Sequence, residues 1–313
     1  MSLFFSSTLQ PACVDCVLFV KRSHRNHCED ADCTLRPTSW SSLELPKISV
    51  ITPTRNAALD LSETIESVAC QSFTDREFIV VDGGSTDGTV ALLQQHGYVI
   101  DRWISEPDDG VYDAINKGID LSTGEWLYFL GAGDELADES VLERVWECGM
   151  RNAERGTRPE GSGSPLRFES VERGVHPLFL YGDVIWGESG QRYDGRFSKL
   201  KLCRQNICHQ AIFYHRSLFD RFGKFDTQYE VCADWAFNLR CFADPVVRPT
   251  RLSTVVARFK GGGLSSSVQD EFLANREGLI RGLGWRYWAL YRVKQALKFR
   301  RRTFPLKPTD GLG

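Results

Sequence analysis

No apolar run in the 313-residue sequence approaches the roughly 20 residues needed for a membrane-crossing helix. An integral span is therefore not expected. The chain also lacks a basic segment ahead of its first short apolar run (17–20), which argues against a secretory signal. No internal repeat is present, which excludes solenoids and propellers. There is no overall basic excess, the formal net charge being -3. Nothing beyond local charge points to nucleic acid, so no nucleic-acid partner is expected.

Acidic residues are absent from 281–307, which holds nine Lys and Arg. The rest of the chain carries 29 basic against 41 acidic residues. An acidic body with one basic terminal segment suggests a surface that seeks anions in one place. Ten cysteines are present without the spacing of a disulfide framework. With 42% apolar residues the chain can bury a core without staples, so a reducing cytosol is expected. Cys13, Cys16, Cys28 and Cys33, with His24 and His27 between them, are one cluster of ligating types. Their spacing fits no common zinc pattern well, and free thiols on a loose extension are the preferred reading.

Residues 1–45 show no period and read as a disordered leader. Regular structure is expected from 47–52, a β-rich run that Pro53 ends. Residues 61–71 have a helical period, 77–81 form a buried strand, and a helix follows over 89–96. A short strand at 101–105, a helix at 111–121 and a strand at 125–130 continue the alternation. Such alternation predicts βαβ units, hence an α/β fold with a mostly parallel, Rossmann-like sheet flanked by helices. Residues 151–176, rich in Arg, Glu, Gly and Ser, read as a mobile insertion. A strand is expected at 178–183, a hairpin over 184–193, helices at 216–222 and 233–242, and mostly helix over 268–302.

Ligands of open α/β sheets bind beyond the carboxyl ends of the strands. Three expected strand ends carry unusual residues: Pro53-Thr54-Arg55-Asn56, Asp82-Gly83-Gly84 and Gly131-Ala132-Gly133-Asp134. An aspartate after a strand is also a common turn or cap residue, and for Asp82 alone the two readings are balanced. Asp87, just before a helix, reads as an N-cap. Asp113, Asn116 and Lys117 fall within about one helical turn, with Asp109 just ahead.

Five blocks in order resemble the family-2 glycosyltransferases, whose catalytic domain is the GT-A fold. They are PTRN (53–56), VDGGSTDGT (81–89), SEPDDGVYDAINKGI (105–119), TGEWLYFLGAGDEL (123–136) and HQAIFYHRSLFDRFGKFDTQYEVCADWAFNLR (209–240). The nearest look is to bacterial enzymes of exopolysaccharide and O-antigen (colanic-acid-type) synthesis. The resemblance implies a GT-A domain over 46–265 and a donor that is a nucleotide-diphosphate sugar. It implies donor contacts from Thr52, Pro53, Thr54, Arg55, Asp82, Gly83, Gly84, Asp109, Asp113, Asn116 and Lys117. Asp82 would accept a hydrogen bond from the base or ribose, and Lys117 would approach a phosphate.

By the same resemblance Asp134 would bind a divalent metal, Mn²⁺ or Mg²⁺, bridging the diphosphate. The family commonly has a second carboxylate there; Gly131, Ala132 and Gly133 stand in its place. Asp234 would be the general base of a single in-line, inverting displacement. The family often places a second carboxylate beside it, where this chain has Ala233. His209 and Trp235 would lie on the side of a saccharide or lipid-linked acceptor. A structural His209 and a core Trp235 are the competing readings.

From Trp285 onward, tryptophans and aliphatics recur near helical spacing among Arg and Lys. A basic amphipathic helix over 266–313 is expected, with 281–307 resting on the cytoplasmic membrane surface. The expected localisation is cytoplasmic, peripheral on the inner face of the plasma membrane. A sugar nucleotidyltransferase is a rival, though PTRN after the first strand does not resemble its Gly-rich opening loop. A non-catalytic binding member of the same fold is another.

Overall fold

The computed structural model describes residues 47–147, 177–187, 189–193, 195–261 and 271–303, the side chains of residues 273 and 297–303 excepted. The expected leader, its Cys13, Cys16, Cys28 and Cys33 cluster, and the 151–176 insertion lie outside these residues. All described residues belong to one unit, Leu45–Gly313.

Three strands begin the sheet: β1 (Ile48–Thr54), β2 (Arg76–Asp82) and β3 (Arg102–Ser105). β4 (Trp126–Phe129) joins on the opposite side of β1. All four are parallel, in the order β3-β2-β1-β4. β1, β2 and β4 are almost wholly buried, which is why their sequences are continuous apolar runs rather than alternating ones. The crossover helices are α1 (Leu61–Ala69), α2 (Thr89–Gln95) and α3 (Val111–Leu121). α1 buries Leu61, Thr64, Ile65 and Val68; α3 buries Tyr112, Ala114, Ile115, Gly118 and Ile119. A Cβ at Gly118 would lie 2.4 Å from Ile51 Cγ2, so glycine lets α3 sit directly on β1.

Pro53 does not end β1. Residues 51 and 53 face β4, and that ladder stops at Ile51 paired with Phe129. Leu130 N then donates to Ile51 O at 3.0 Å, so the missing N–H of Pro53 falls just past the last pairing. At the opposite end of these strands, Glu77 Oε1 accepts from Ser49 Oγ, Thr123 N, Thr123 Oγ1 and Gly124 N. Burial pushes its carboxyl up, but these donors outweigh that and leave it below the usual range.

Beyond β4 the sheet becomes mixed. β5 (Glu135–Leu136) and helix α4 (Val141–Val145) precede β6 (Phe179–Trp186), which forms the expected hairpin with β7 (Gln191–Tyr193). Helix α5 (Lys199–Leu202) and a 3₁₀ turn (His209–Ala211) lead to β8 (Ile212–His215). Helices α6 (Ser217–Phe222) and α7 (Ala233–Ala243) match the expected spans, and β9 (Thr250–Phe259) follows. The full order is β3-β2-β1-β4-β8-β6-β9-β5, with β7 on β6. β8 is antiparallel to β4 and β6, and β9 is parallel to β6.

The expected C-terminal helix is two helices, α8 (Phe272–Gly282) and α9 (Trp285–Thr303), broken at Gly284 with φ 117°. Phe272 packs its ring on Tyr229 and Trp235. α9 is tied back to α8 by Trp288 Nε1 donating to Glu277 Oε1 at 2.9 Å. Arg276 Nη2 donates to Tyr291 Oη at 2.9 Å. Trp285, Leu290 and Val293 stay exposed. No helix of the described residues is long and apolar enough to cross a membrane.

Candidate active site

Strand order reverses between β1 and β4, because β2 and β3 lie on one side of β1 and β4 on the other. Such a switch point opens a crevice at the strand carboxyl ends. Thr52 and Thr54 sit at that end of β1, both buried, and neither Oγ1 has a hydrogen-bond partner. A buried hydroxyl without a partner is unfavourable, so two together mark a place where polar ligand atoms fit.

β2 ends beside it in the loop 82–89. Asp82 is fully buried and organises that loop. Its Oδ2 accepts from Ser85 N at 2.9 Å and from Ser105 Oγ at 2.7 Å, while Oδ1 accepts from Ser85 Oγ. Gly84 takes φ 74°, which favours glycine. A Cβ at Gly83 would lie 2.1 Å from Asp108 Oδ2, so the Asp108 carboxylate rests directly on the Gly83 backbone. Arg55 Nη1 lies 3.9 Å from Asp108 Oδ1 across the same opening. Asp87 is not the N-cap of α2; Gly88 holds that position. Asp87 instead accepts from Thr89 N at 3.0 Å and from Ala58 N at 3.0 Å, tying the loop to the segment after β1.

The start of α3 forms the next wall. Asp109 N donates to Asp113 Oδ2 at 3.2 Å. Lys117 Nζ lies 3.1 Å from Asp113 and 3.0 Å from Glu106, and donates to Pro107 O at 2.8 Å. Asn116 turns elsewhere: its Nδ2 donates to Phe225 O and its Oδ1 accepts from Phe225 N, joining α3 to the segment before α7.

Two buried carboxylates stand beyond these walls. Asp134 follows β4, and each of its oxygens accepts one N–H. Lys260 N donates to Oδ1 at 3.0 Å and Gln210 Nε2 to Oδ2 at 2.5 Å. Burial pushes its carboxyl up against those two bonds. His209 feels the Asp134 charge, yet burial holds its imidazole below the ordinary value and therefore neutral. Among the described residues no group of three His, Cys, Asp or Glu could hold an ion together. The donor set nevertheless fits a hard cation shared with a ligand. Asp134 keeps an unoccupied lone pair on each oxygen, and phosphate oxygens and waters suit the remaining positions.

Asp234 lies in the first turn of α7, but Cys232 is the N-cap, so capping does not explain Asp234. Its Oδ1 accepts from Tyr112 Oη at 2.8 Å and Trp235 N at 2.8 Å. Its Oδ2 accepts from Asn206 Nδ2 at 2.7 Å. Burial raises its pKa to about 6, the donors to the ionised form limiting the rise. A carboxylate titrating there is suited to accept a proton near neutral pH. Trp235 beside it is engaged in packing: Nε1 donates to Leu202 O at 2.8 Å, Phe272 lies at 4.9 Å, and Arg276 sits over the ring.

Residues 49–221 match Glycosyl transferase family 2. The chain belongs to that family. It is 38% identical over 249 residues to the PGL/p-HBAD biosynthesis glycosyltransferase of Mycobacterium bovis, covering 77% of this chain and 88% of that relative. The chain is thus a glycosyltransferase, and the nucleotidyltransferase reading is set aside.

Solved structures show the same GT-A-like fold. S. aureus TarS 1–349 in complex with UDP-GlcNAc superposes with TM-score 0.55 at 18% identity, over 85% of this chain and 74% of that one. The chain spans 45% of a longer TarS crystal structure. The mannosyltransferase PcManGT from Pyrobaculum calidifontis, in complex with GDP-Man and Mn²⁺, gives TM-score 0.50 at 16% identity, over 84% of each chain.

Within this glycosyltransferase the crevice gathers Thr52, Thr54, Arg55, Asp82, Gly83 and Gly84 at one strand edge. Asn116, expected to face the donor, directs its polar atoms into the scaffold, and Trp235 takes the core role that competed with acceptor contact. Four side chains of the site were not anticipated: Asp108, Tyr112, Asn206 and Gln210. Asp108 and Tyr112 lie inside a recognised block, where neighbouring acidic residues drew the reading. Asn206 lies between the fourth and fifth blocks, and its sequence carries no signal for contact with Asp234.

Proposed function

We propose that the chain is an inverting, divalent-metal-dependent glycosyltransferase. It moves a sugar from a nucleotide-diphosphate sugar to a hydroxyl of a saccharide or lipid-linked acceptor. The observation that carries this reading is the short segment from Asn206 to Gln210, which holds both buried carboxylates: Asn206 donates to Asp234 and Gln210 to Asp134. A proton acceptor and a phosphate-side carboxylate are thereby kept in a set relation, as in-line displacement requires.

The nucleotide lies along β1 and β2, where the free hydroxyls of Thr52 and Thr54 meet polar atoms. Pro53, Gly83 and Gly84 keep the surface low, and Arg55, Asp82, Asp109, Asp113 and Lys117 border the donor. Asp134 holds the ion, Mn²⁺ or Mg²⁺, which when bound offsets the charge that gathers on the departing diphosphate. Asp234 takes the proton of the attacking hydroxyl. His209, neutral, borders the acceptor. The mycobacterial relative is named for a biosynthetic pathway, and we read this chain as a biosynthetic enzyme of exopolysaccharide or lipopolysaccharide type. Its GT-A domain spans 46–265.

The test is release of nucleoside diphosphate from UDP-, GDP- and dTDP-sugars, with Mn²⁺, Mg²⁺ or EDTA. Slow hydrolysis of one donor, abolished by EDTA, is expected. If no donor is bound or hydrolysed, the reading falls.

The cytoplasmic, membrane-peripheral part of the proposal rests on α9. Its inner side is held by Trp288 and Tyr291, while Trp285, Leu290 and Val293 stand exposed with Arg286 and Lys294. Exposed apolar groups among cations suit an anionic lipid surface. The protein should sediment with vesicles containing anionic lipid and be released by salt. Equal recovery with neutral and anionic vesicles would overturn this part alone.

A further inference from the structure

Asp234 ends a largely buried chain of side-chain hydrogen bonds, in which Asn206 is half-buried, drawn from four segments of the chain. Tyr214 Oη on β8 bonds Asn238 Oδ1 at 2.9 Å. Asn238 Nδ2 on α7 donates to Asn206 Oδ1 at 2.9 Å. Asn206 Nδ2 donates to Asp234 Oδ2 at 2.7 Å. From the other side, Tyr112 Oη on α3 donates to Oδ1 at 2.8 Å and also reaches Val231 O at 2.9 Å. Asn238 and Tyr214 are fully buried.

The direction of every bond follows from the carboxylate. An ionised Asp234 only accepts, so Asn206 must present its NH₂ group there. Its carbonyl then faces Asn238, which must present NH₂ in turn. The Asn238 carbonyl is left toward Tyr214, whose hydroxyl donates. Reversing either amide would set two donors or two acceptors against each other in a buried site. One charge at Asp234 thus orders the chain, and the ordered chain favours that charge.

The same bonds decide which oxygen reacts. A carboxylate oxygen offers two lone pairs. On Oδ1 both are occupied, by Tyr112 Oη and Trp235 N. On Oδ2 one is occupied, by Asn206.

We propose that Asn206, oriented by Asn238 and Tyr214, is the positioning residue of the reaction. It leaves Oδ2, the Asp234 oxygen with fewer donors, to receive the acceptor proton, and it keeps Asp234 ionised. The inference rests on Asp234 being the base. In the step, the acceptor O–H bond breaks and its proton passes to Oδ2. The acceptor oxygen forms the new bond to the sugar anomeric carbon, and the diphosphate leaves with the electron pair of the cleaved bond.

The side chains that feel the Asp234 charge are Tyr112 on α3, Tyr193 on β7, Cys208 before β8 and Tyr214 on β8. Burial pushes all four up, Cys208 to about 12, so each is neutral through the range where Asp234 titrates. None of the four therefore shapes the acid limb of a pH–rate profile; Asp134, also pushed up by burial, is the other carboxyl of the site, and Asp234→Asn tells the two apart.

The experiment measures kcat/KM against pH for wild type, Asn206→Ala, Asn238→Leu and Asp234→Asn, each checked by thermal melting. A hydrogen bond to a charged group is worth roughly one to two pKa units. Asn206→Ala should move the acid limb up by about that much, with the high-pH plateau kept within about tenfold. Asn238→Leu should move it the same way by less, because Asn206 stays but is no longer oriented. Should Asn206→Ala not fold, Asn238→Leu carries the test. A uniform loss at every pH with an unmoved limb would reduce both asparagines to scaffold and overturn the inference. Asp234→Asn separates the two claims: if it keeps the wild-type limb, the base assignment itself fails, whatever the asparagine variants do.

Discussion

Asp234→Asn should lower kcat by about 10²–10⁴-fold, the range that general-base assistance contributes, and leave donor affinity close to wild type. The substitution keeps the shape of the side chain and an acceptor for Tyr112 Oη and Trp235 N. It removes the charge that takes the proton. Asp234 is buried and contacts Tyr112, Trp235 and Asn206, none of them in the group around Thr52, Asp82 and Gly83. Donor binding and turnover should therefore separate. Calorimetric titration with the donor, beside turnover with acceptor present, gives both numbers. Turnover within about threefold of wild type would end the assignment.

The second large effect is expected for Asp134→Asn. An asparagine preserves the acceptor for Lys260 N but replaces a charged ligand with a neutral one. Turnover should fall by about 10²–10³-fold, as for loss of a main electrostatic contact to a developing anion. The Mn²⁺ concentration needed for half-maximal rate should rise by at least about tenfold, since a hard cation prefers the carboxylate. Titrating Mn²⁺ into both proteins under saturating donor measures the shift. An unchanged metal dependence would remove Asp134 from the metal site. Folding should hold, because burial already disfavours the charge that the substitution deletes.

The parallel half of the sheet was legible because its signals are local. Residues 48–54, 76–82 and 126–129 are short apolar runs, buried on both faces, and such strands differ from helices in length and in their flanking Gly and Pro. The hairpin at 184–193 was legible for the same reason. β9 was not. Its ten residues mix Arg, Ser and Thr with valines, and its burial pattern follows neither clean period. Its pairing partners, β6 on one side and β5 on the other, lie some seventy and more than one hundred residues earlier in the chain, and only those long-range pairings make it a strand. The same strand brings Lys260 N to Asp134, a contact no spacing rule could foresee.

The individual carboxylates were visible in the sequence because an aspartate at or just past the end of an apolar run stands out: Asp82 closes β2, and Asp134 follows β4 after a short Gly-Ala-Gly turn. Family resemblance added Asp234. Their surroundings were not visible. Asp108 rather than Asp109 lies on Gly83, because one residue of rotation about the loop decides which carboxylate turns inward. Trp235 packs on Phe272 because α8 returns to cover it.

The sequence by itself determined the family, the α/β layering and the strand ends where charged and small residues gather. These depend on side-chain order along short stretches, which periodicity and motif spacing record. Only the tertiary structure decided which polar atoms meet. Tyr112 and Asn206 approach Asp234 from 122 and 28 residues away, and Gln210 approaches Asp134 from 76. A buried hydrogen bond requires its two partners within about 3 Å and aligned, and for residues so distant in the chain that condition is met only by the packed fold.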